Sequence, residues 1–151
     1  MLLESLLAYA HIAAILGLVV FITSEAALCR SEWMNAAVVH RLVRVDLLYL
    51  VAALTVLATG IARTVWGMKG VGWYWTQPLL HAKLGFFVVI GLMSAMPTRA
   101  FMRWRRELAR SGTLPPPHEV KQARRWVMIE AHLLLLVPIL AVMLARGVGT
   151  R

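Results

Sequence analysis

Four apolar stretches, each about long enough to cross a bilayer, alternate with segments that carry nearly all the charge, and this alternation decides what the chain can fold into. A helix needs about 20 predominantly apolar residues to span a hydrocarbon core of ~30 Å. The first stretch, Ser5 to Thr23, has no formal charge. The second runs from Leu47 to Ala62 between Asp46 and Arg63, and Val38, Val39, Leu42 and Val45 extend the same helix back toward Asn35. The third follows Pro78 and reaches Met96, interrupted only by His81 and Lys83; Pro78 suits a first helical turn and Pro97 predicts a stop. The fourth, Trp126 to Ala145, contains Glu130, His132 and Pro138. Pro138 leaves the carbonyl of Leu134 without its helical donor, which predicts a kink. The expected spans are therefore about 4–24, 38–65, 78–97 and 125–146, with a basic loop over 98–124.

Composition agrees. Of the 151 residues 60% are hydrophobic and 15% charged, with a mean hydropathy of +0.72, against about 45–50% and about 25% for a soluble domain. A soluble globule is excluded, because no core in so short a chain buries that excess. The first stretch does not read as a signal peptide, since no basic segment precedes it and Glu4 is the only early charge. Cys29 is the single cysteine, which excludes an intrachain disulfide and a cysteine-ligated zinc or iron–sulfur centre.

The formal charge of +9 follows from loop topology. The segment between the third and fourth stretches carries Arg99, Arg103, Arg105, Arg106, Arg110, Lys121, Arg124 and Arg125 against Glu107 and Glu119, whereas Trp66 to Leu80 has only Lys69. The positive-inside rule places the basic segment in the cytoplasm and both termini outside, as in a multi-pass protein of a bacterial inner membrane. Arg30, Arg41 and Arg44 in the first connection agree. A nucleic-acid partner is disfavoured because the basic segment is tied to the membrane at both ends; the expected partner is the bilayer, with contact to anionic lipid. Trp66, Trp73, Tyr74 and Trp75 at one end, and Trp104 and Trp126 at the other, match interfacial aromatic belts. Pro115-Pro116-Pro117 divides the basic loop into two arms. The expected fold is all-α, an antiparallel four-helix membrane bundle, in which each backbone satisfies its hydrogen bonds within its own span.

Function in such a protein resides in polar groups that do not belong in lipid, because a charge at mid-bilayer costs at least ~2.5–3.5 kcal/mol. These are His11 on the first helix, Thr55, Thr59 and Arg63 on the second, His81 and Lys83 on the third, and Glu130 and His132 on the fourth. Helix counting brings His11 and His81 to similar depth in the outer half. Two imidazoles on facing helices hold a haem iron in bundle cores, so His11 and His81 are the expected metal ligands, with His132 as a further candidate cofactor ligand. The competing reading of each histidine is a hydrogen bond to a neighbouring helix. Lys83 either snorkels to headgroups or faces the core as a cation for a propionate or for proton transfer. Glu130 either pairs with Arg41 or Arg44 or takes part in chemistry. Gly17, Gly60, Gly85 and Gly91 would let helices, or a flat macrocycle, approach closely.

The elements Ala10-His11-Ile12, His81-Ala82-Lys83-Leu84 and Glu130 with its following aliphatic run make the chain resemble the bacterial HemJ-type protoporphyrinogen IX oxidases. It also resembles a related family of small four-helix predicted membrane proteins. The resemblance implies a haem b protein in which His11 is an iron ligand and Lys83 is required for activity. Leu16-Gly17-Leu18 and Glu25-Ala26 stand where HemJ-type proteins carry a Trp-Phe-Ala-Gly-like stretch and a Pro-Arg pair, Ile129 replaces the Asn before the fourth-helix Glu, and His132 is an addition.

The expected function is a membrane haem b redox protein that oxidises a tetrapyrrole such as protoporphyrinogen and passes electrons to a quinone or respiratory partner. Lys83 and Glu130 are its expected catalytic groups, and Arg41 and Arg44 its expected carriers of cofactor or substrate carboxylates. Two other classes compete, a small transporter or proton-relay bundle and a structural accessory subunit or homo-oligomer built on helix packing.

Overall fold

The computed structural model describes residues 2–66 and 71–146, and the side chains of all of these except Trp73, Tyr74, Leu144 and Ala145. The belt expected at Trp73 and Tyr74, and the position of Lys69, lie outside the described side chains. Helices α1 (Leu2–Leu28), α2 (Ala36–Val65), α4 (Pro78–Ser111) and α5 (Pro117–Ala145) run antiparallel, with a short α3 (Val71–Trp75) before α4 and a 3-10 turn at Ser31–Trp33. All four long helices are apolar enough to cross a membrane. Among the described residues there is no strand, so the all-α membrane bundle is the observed fold.

Local chemistry fixes the helix ends. Asn35 caps α2 by accepting from the Val38 amide at 3.0 Å. Gly112 closes α4 in the left-handed region at φ 68°, a conformation that a Cβ disfavours. Proline opens both α4 and α5, where its missing N–H costs nothing.

Helix α1 packs chiefly on α2, and α4 on α5; the two hairpins meet through α2–α4 and α1–α5. Inward residues at helical spacing, such as Leu18, Ile22, Val39, Leu42, Val56 and Ile90, form the core. The outward faces are apolar as well, with Leu92 71% exposed, which in water would be a liability and in lipid is the expected surface.

Two sequence expectations need correction. Pro97 does not end the helix: it is buried inside α4, which continues to Ser111, and the basic loop is mostly helix, with only residues 112–116 linking α4 to α5. The physical reason is tertiary packing. At 34 residues α4 is about 51 Å long, well beyond a ~30 Å hydrocarbon core, and its extension buries Phe101 and Trp104 against the matching extension of α5 at Val120, Ala123 and Val127. That burial offsets the ~3 kcal/mol a helix-interior proline costs. Trp104, expected in an interfacial belt, is wholly buried there, and its indole N–H donates to Glu119 at 2.9 Å. Cys29 is also buried and its thiol points at the Val120 carbonyl, 3.6 Å away, tying the first hairpin to α5.

Candidate functional site

Two groups of polar side chains interrupt the apolar interior, and both start from one face of α1. The buried residues of that helix are His11, Leu18, Ile22 and Glu25, spaced by seven, four and three residues as a single helical stripe requires. His11 and Glu25 lie 14 residues apart, about 21 Å along the axis.

At the end of the bundle that carries the termini, His11 is 4% exposed and its Nδ1 lies 2.8 Å from Thr59 Oγ1. The tautomer follows from the threonine. Its hydroxyl proton is donated to the Thr55 carbonyl at 2.6 Å, so the oxygen accepts and Nδ1 carries the hydrogen. Nε2 is then the lone-pair nitrogen, the atom that a metal ion or a proton would take. Gly60 makes this placement possible, because a Cβ there would stand 3.3 Å from His11 Cε1. Of the four glycines expected to permit close approach, only Gly60 meets a neighbouring helix: Gly17 faces Phe21 of its own helix, and Gly85 and Gly91 have open space around them.

His11 and Lys83 line one cavity of about 520 Å³ between the two hairpins. Lys83 is half-buried and within electrostatic reach of His11, so it faces the core rather than the headgroups. Otherwise the walls are nearly all aliphatic and aromatic, including Ile15, Leu18, Val56, Leu80 and Phe87. The cavity runs along the α1–α5 seam and its rim includes the exposed Leu16, Leu135 and Val142, so it opens sideways toward lipid. Pro138, the predicted kink, lines it too.

The other expected ligands are placed elsewhere. His81 is exposed, lies outside the cavity lining, and donates from Nε2 to the Trp75 carbonyl at 2.9 Å, closing the α3–α4 turn. The structure does not bring it to His11. His132 does line the cavity, but at the opposite end. Glu25 is within electrostatic reach of Glu130 across α1 and α5, and counting from that level puts His132 near Thr23, which lines the same cavity, about 18 Å from His11 along the bundle. Its Nδ1 donates to the Met128 carbonyl at 2.5 Å. His11 is therefore the one buried imidazole in the cavity, and the pairing of two histidines about one iron is not assembled. Arg41 and Arg44 are exposed on α2 and do not line this cavity.

The second group lies toward the end that carries the basic segment. Glu130, 1% exposed, accepts from the Tyr49 hydroxyl at 2.5 Å rather than from an arginine, and Asp46 accepts from Thr98 at 2.8 Å. Glu25, 2% exposed, is within electrostatic reach of both Asp46 and Glu130. Glu130 and Lys83, expected as joint catalytic groups, thus belong to different regions. Glu25, Asp46 and Tyr49 are absent from the sequence-derived site. The signal for Glu25 was its place on the His11 stripe, and for Asp46 and Tyr49 their place on the Val39–Leu42 face of α2. Among the described residues no group of three or more His, Cys, Asp or Glu side chains has the geometry of a metal site.

Comparison with known proteins agrees with the fold. A family profile described as "Predicted membrane protein (DUF2214)" matches residues 3–149, so the chain belongs to that family. No curated protein and no solved structure matches it.

Proposed function

We propose that this member of the DUF2214 membrane-protein family binds haem b, or a tetrapyrrole like it, in the lateral cavity, with His11 as the protein's axial ligand. The carrying observation is the imidazole itself: buried, with Nδ1–H held by Thr59, an arrangement that in the neutral ring leaves the Nε2 lone pair for iron. A metal-bound histidine almost always has its second ring nitrogen fixed in this way, and such partners set ring orientation and ligand basicity. The residues fit the group in two further respects. The walls are apolar, and Lys83 supplies one cation that would accept a propionate or a substrate carboxylate.

Bound there, the haem would supply one-electron chemistry, and the chain's part is ligation, orientation and exclusion of water. The resemblance to HemJ-type enzymes gives the matching activity, oxidation of a protoporphyrinogen with electrons passed on to a quinone. Lys83 would position the substrate carboxylate, and the lateral opening between α1 and α5 suits a lipophilic reactant arriving from the bilayer.

The test is the absorption spectrum of protein purified in mild detergent from haem-replete membranes, oxidised and dithionite-reduced. Wild-type protein and His81→Ala should show a Soret band and sharp reduced bands, and His11→Ala should lose them. Wild-type protein that stays colourless through a haemin titration overturns the proposal. A second reading is favoured by the cavity's elongation and by the distance between His11 and His132: an amphiphile such as an isoprenoid quinone, its polar head at His11 and Lys83 and its tail along the seam. Colourless wild-type protein that retains extractable quinone, and loses it in His11→Ala, would support this instead.

A further inference from the structure

The acidic group at the basic end of the bundle has no role in the cavity. It is built from four helices, and among the described residues no ion pair supplies a counter-charge. Among the described residues the ion pairs are those of Arg103 with Glu107 and Glu119, and none involves Glu25, Asp46 or Glu130. The titratable and charged groups around the cluster are few. They are Glu25 and Cys29 on α1 and its end, Asp46 and Tyr49 on α2, and Glu130 on α5, with Arg124 of α5 within reach of Cys29; α4 contributes the neutral hydroxyl of Thr98.

An uncompensated carboxylate in so apolar a setting costs many kcal/mol, and such a group takes up a proton instead. One atom makes the case specific. Glu25 Oε1 is fully buried and has no hydrogen-bond partner, while its carboxyl is within electrostatic reach of the other two. A buried polar oxygen without a partner is rare and calls for an explanation, and a proton bound in this cluster supplies one.

We infer that Glu25, Asp46 and Glu130, held by Tyr49 and Thr98, form a proton-binding site inside the bundle, separate from the His11 cavity. Tyr49 occupies one oxygen of Glu130 and Thr98 one oxygen of Asp46, which leaves Glu25 and the remaining oxygens to take up a proton. Asp46, at 8% exposed, has the most access of the three, so exchange with water runs past Asp46 and Thr98. The reaction is protonation alone: a proton from water adds to a carboxylate oxygen, and release reverses it. By the charge-based orientation that water is cytoplasmic.

Infrared spectroscopy of the full-length protein in detergent tests this without reference to pigment. Expected is a carboxylic-acid C=O band at neutral pH that shifts in D2O and disappears reversibly as the pH is raised well into the alkaline range. Glu25→Gln and Glu130→Gln should each remove part of its intensity and the double variant most of it, while Glu107→Gln, at an exposed position, leaves it unchanged. No acid band at neutral pH, a band that ignores alkaline titration, or a band that the double substitution leaves undiminished overturns the inference. The wild-type titration stands whether or not the variants fold. Because the measurement is the same on pigmented and colourless protein, its failure and the failure of the haem proposal are distinguishable.

Discussion

The two ends of the α1 stripe carry the same kind of feature, an ionisable group buried under apolar helices, and treat it in opposite ways. At His11 the hairpins part and leave a cavity of about 520 Å³ beside a buried imidazole whose Nδ1 is held by Thr59. At Glu25 the hairpins close, and the buried carboxyl lies within electrostatic reach of Asp46 and Glu130, each of which has one oxygen taken by a hydroxyl, that of Thr98 and that of Tyr49. Burial alone therefore does not define a ligand site. Space beside an unspent lone pair gives capacity for a foreign molecule, whereas like groups packed without space leave only a proton small enough to resolve the charge.

If the ends are independent, loosening one should spare the other. The largest expected effect is at the extramembrane extension that locks the basic end. Trp104→Ala removes a wholly buried ring together with its bond to Glu119, and should lower stability by about 3–5 kcal/mol, read as the unfolding midpoint in a denaturing-detergent titration. Ligand retained per folded molecule should be unchanged. A parallel loss of ligand would mean that the extension also sets the cavity's shape.

The fold was legible because hydropathy and loop charge act over whole helices, and four spans survive any error of a few residues. Pro97 was misread for the opposite reason. A local rule about proline is overridden by the burial of Phe101 and Trp104, which only the partner helix reveals. The site was legible in part. His11 and Lys83 stand out because each is a polar residue in an apolar run, and the cavity brings them together. His81 carries the same sequence signal but points outward, and depth counting cannot report the side that a residue faces. Glu25 and Asp46 lie at the ends of apolar runs, where a carboxylate reads as a boundary. Their burial depends on the first connection folding back toward α5, with Cys29 beneath Val120.

Two substitutions of intermediate effect probe each end through its hydroxyl. Tyr49→Phe leaves the buried Glu130 oxygen without its donor and should cost about 1–3 kcal/mol of stability. A cycle with Glu130→Gln should return a coupling of about 0.5–3 kcal/mol if the pair is as direct as the 2.5 Å separation indicates. Additive losses would separate them. Thr59→Val acts on the other end. It removes the acceptor that fixes His11 Nδ1–H and should weaken ligand binding by about 10–100-fold, with the unfolding midpoint much less affected than by Tyr49→Phe. An affinity unchanged in Thr59→Val would mean that packing against Gly60 alone orients the ring.

The smallest effect should come from the residue that the sequence ranks beside His11. His81 is exposed and its bond to the Trp75 carbonyl closes a turn at the bundle's edge, so His81→Ala should cost no more than about 1 kcal/mol, the typical net value of one such bond. The informative readout is the ligand. Retention and spectrum should match wild type within error, because neither the cavity lining nor the proton cluster includes this side chain. If His81→Ala abolished binding as His11→Ala should, the α3–α4 turn would have to reorganise to bring His81 inward when the ligand enters. The contrast between an open end and a closed end would then describe only the ligand-free protein, and two-histidine ligation would regain its claim. An unchanged spectrum keeps the site where space and a free lone pair coincide.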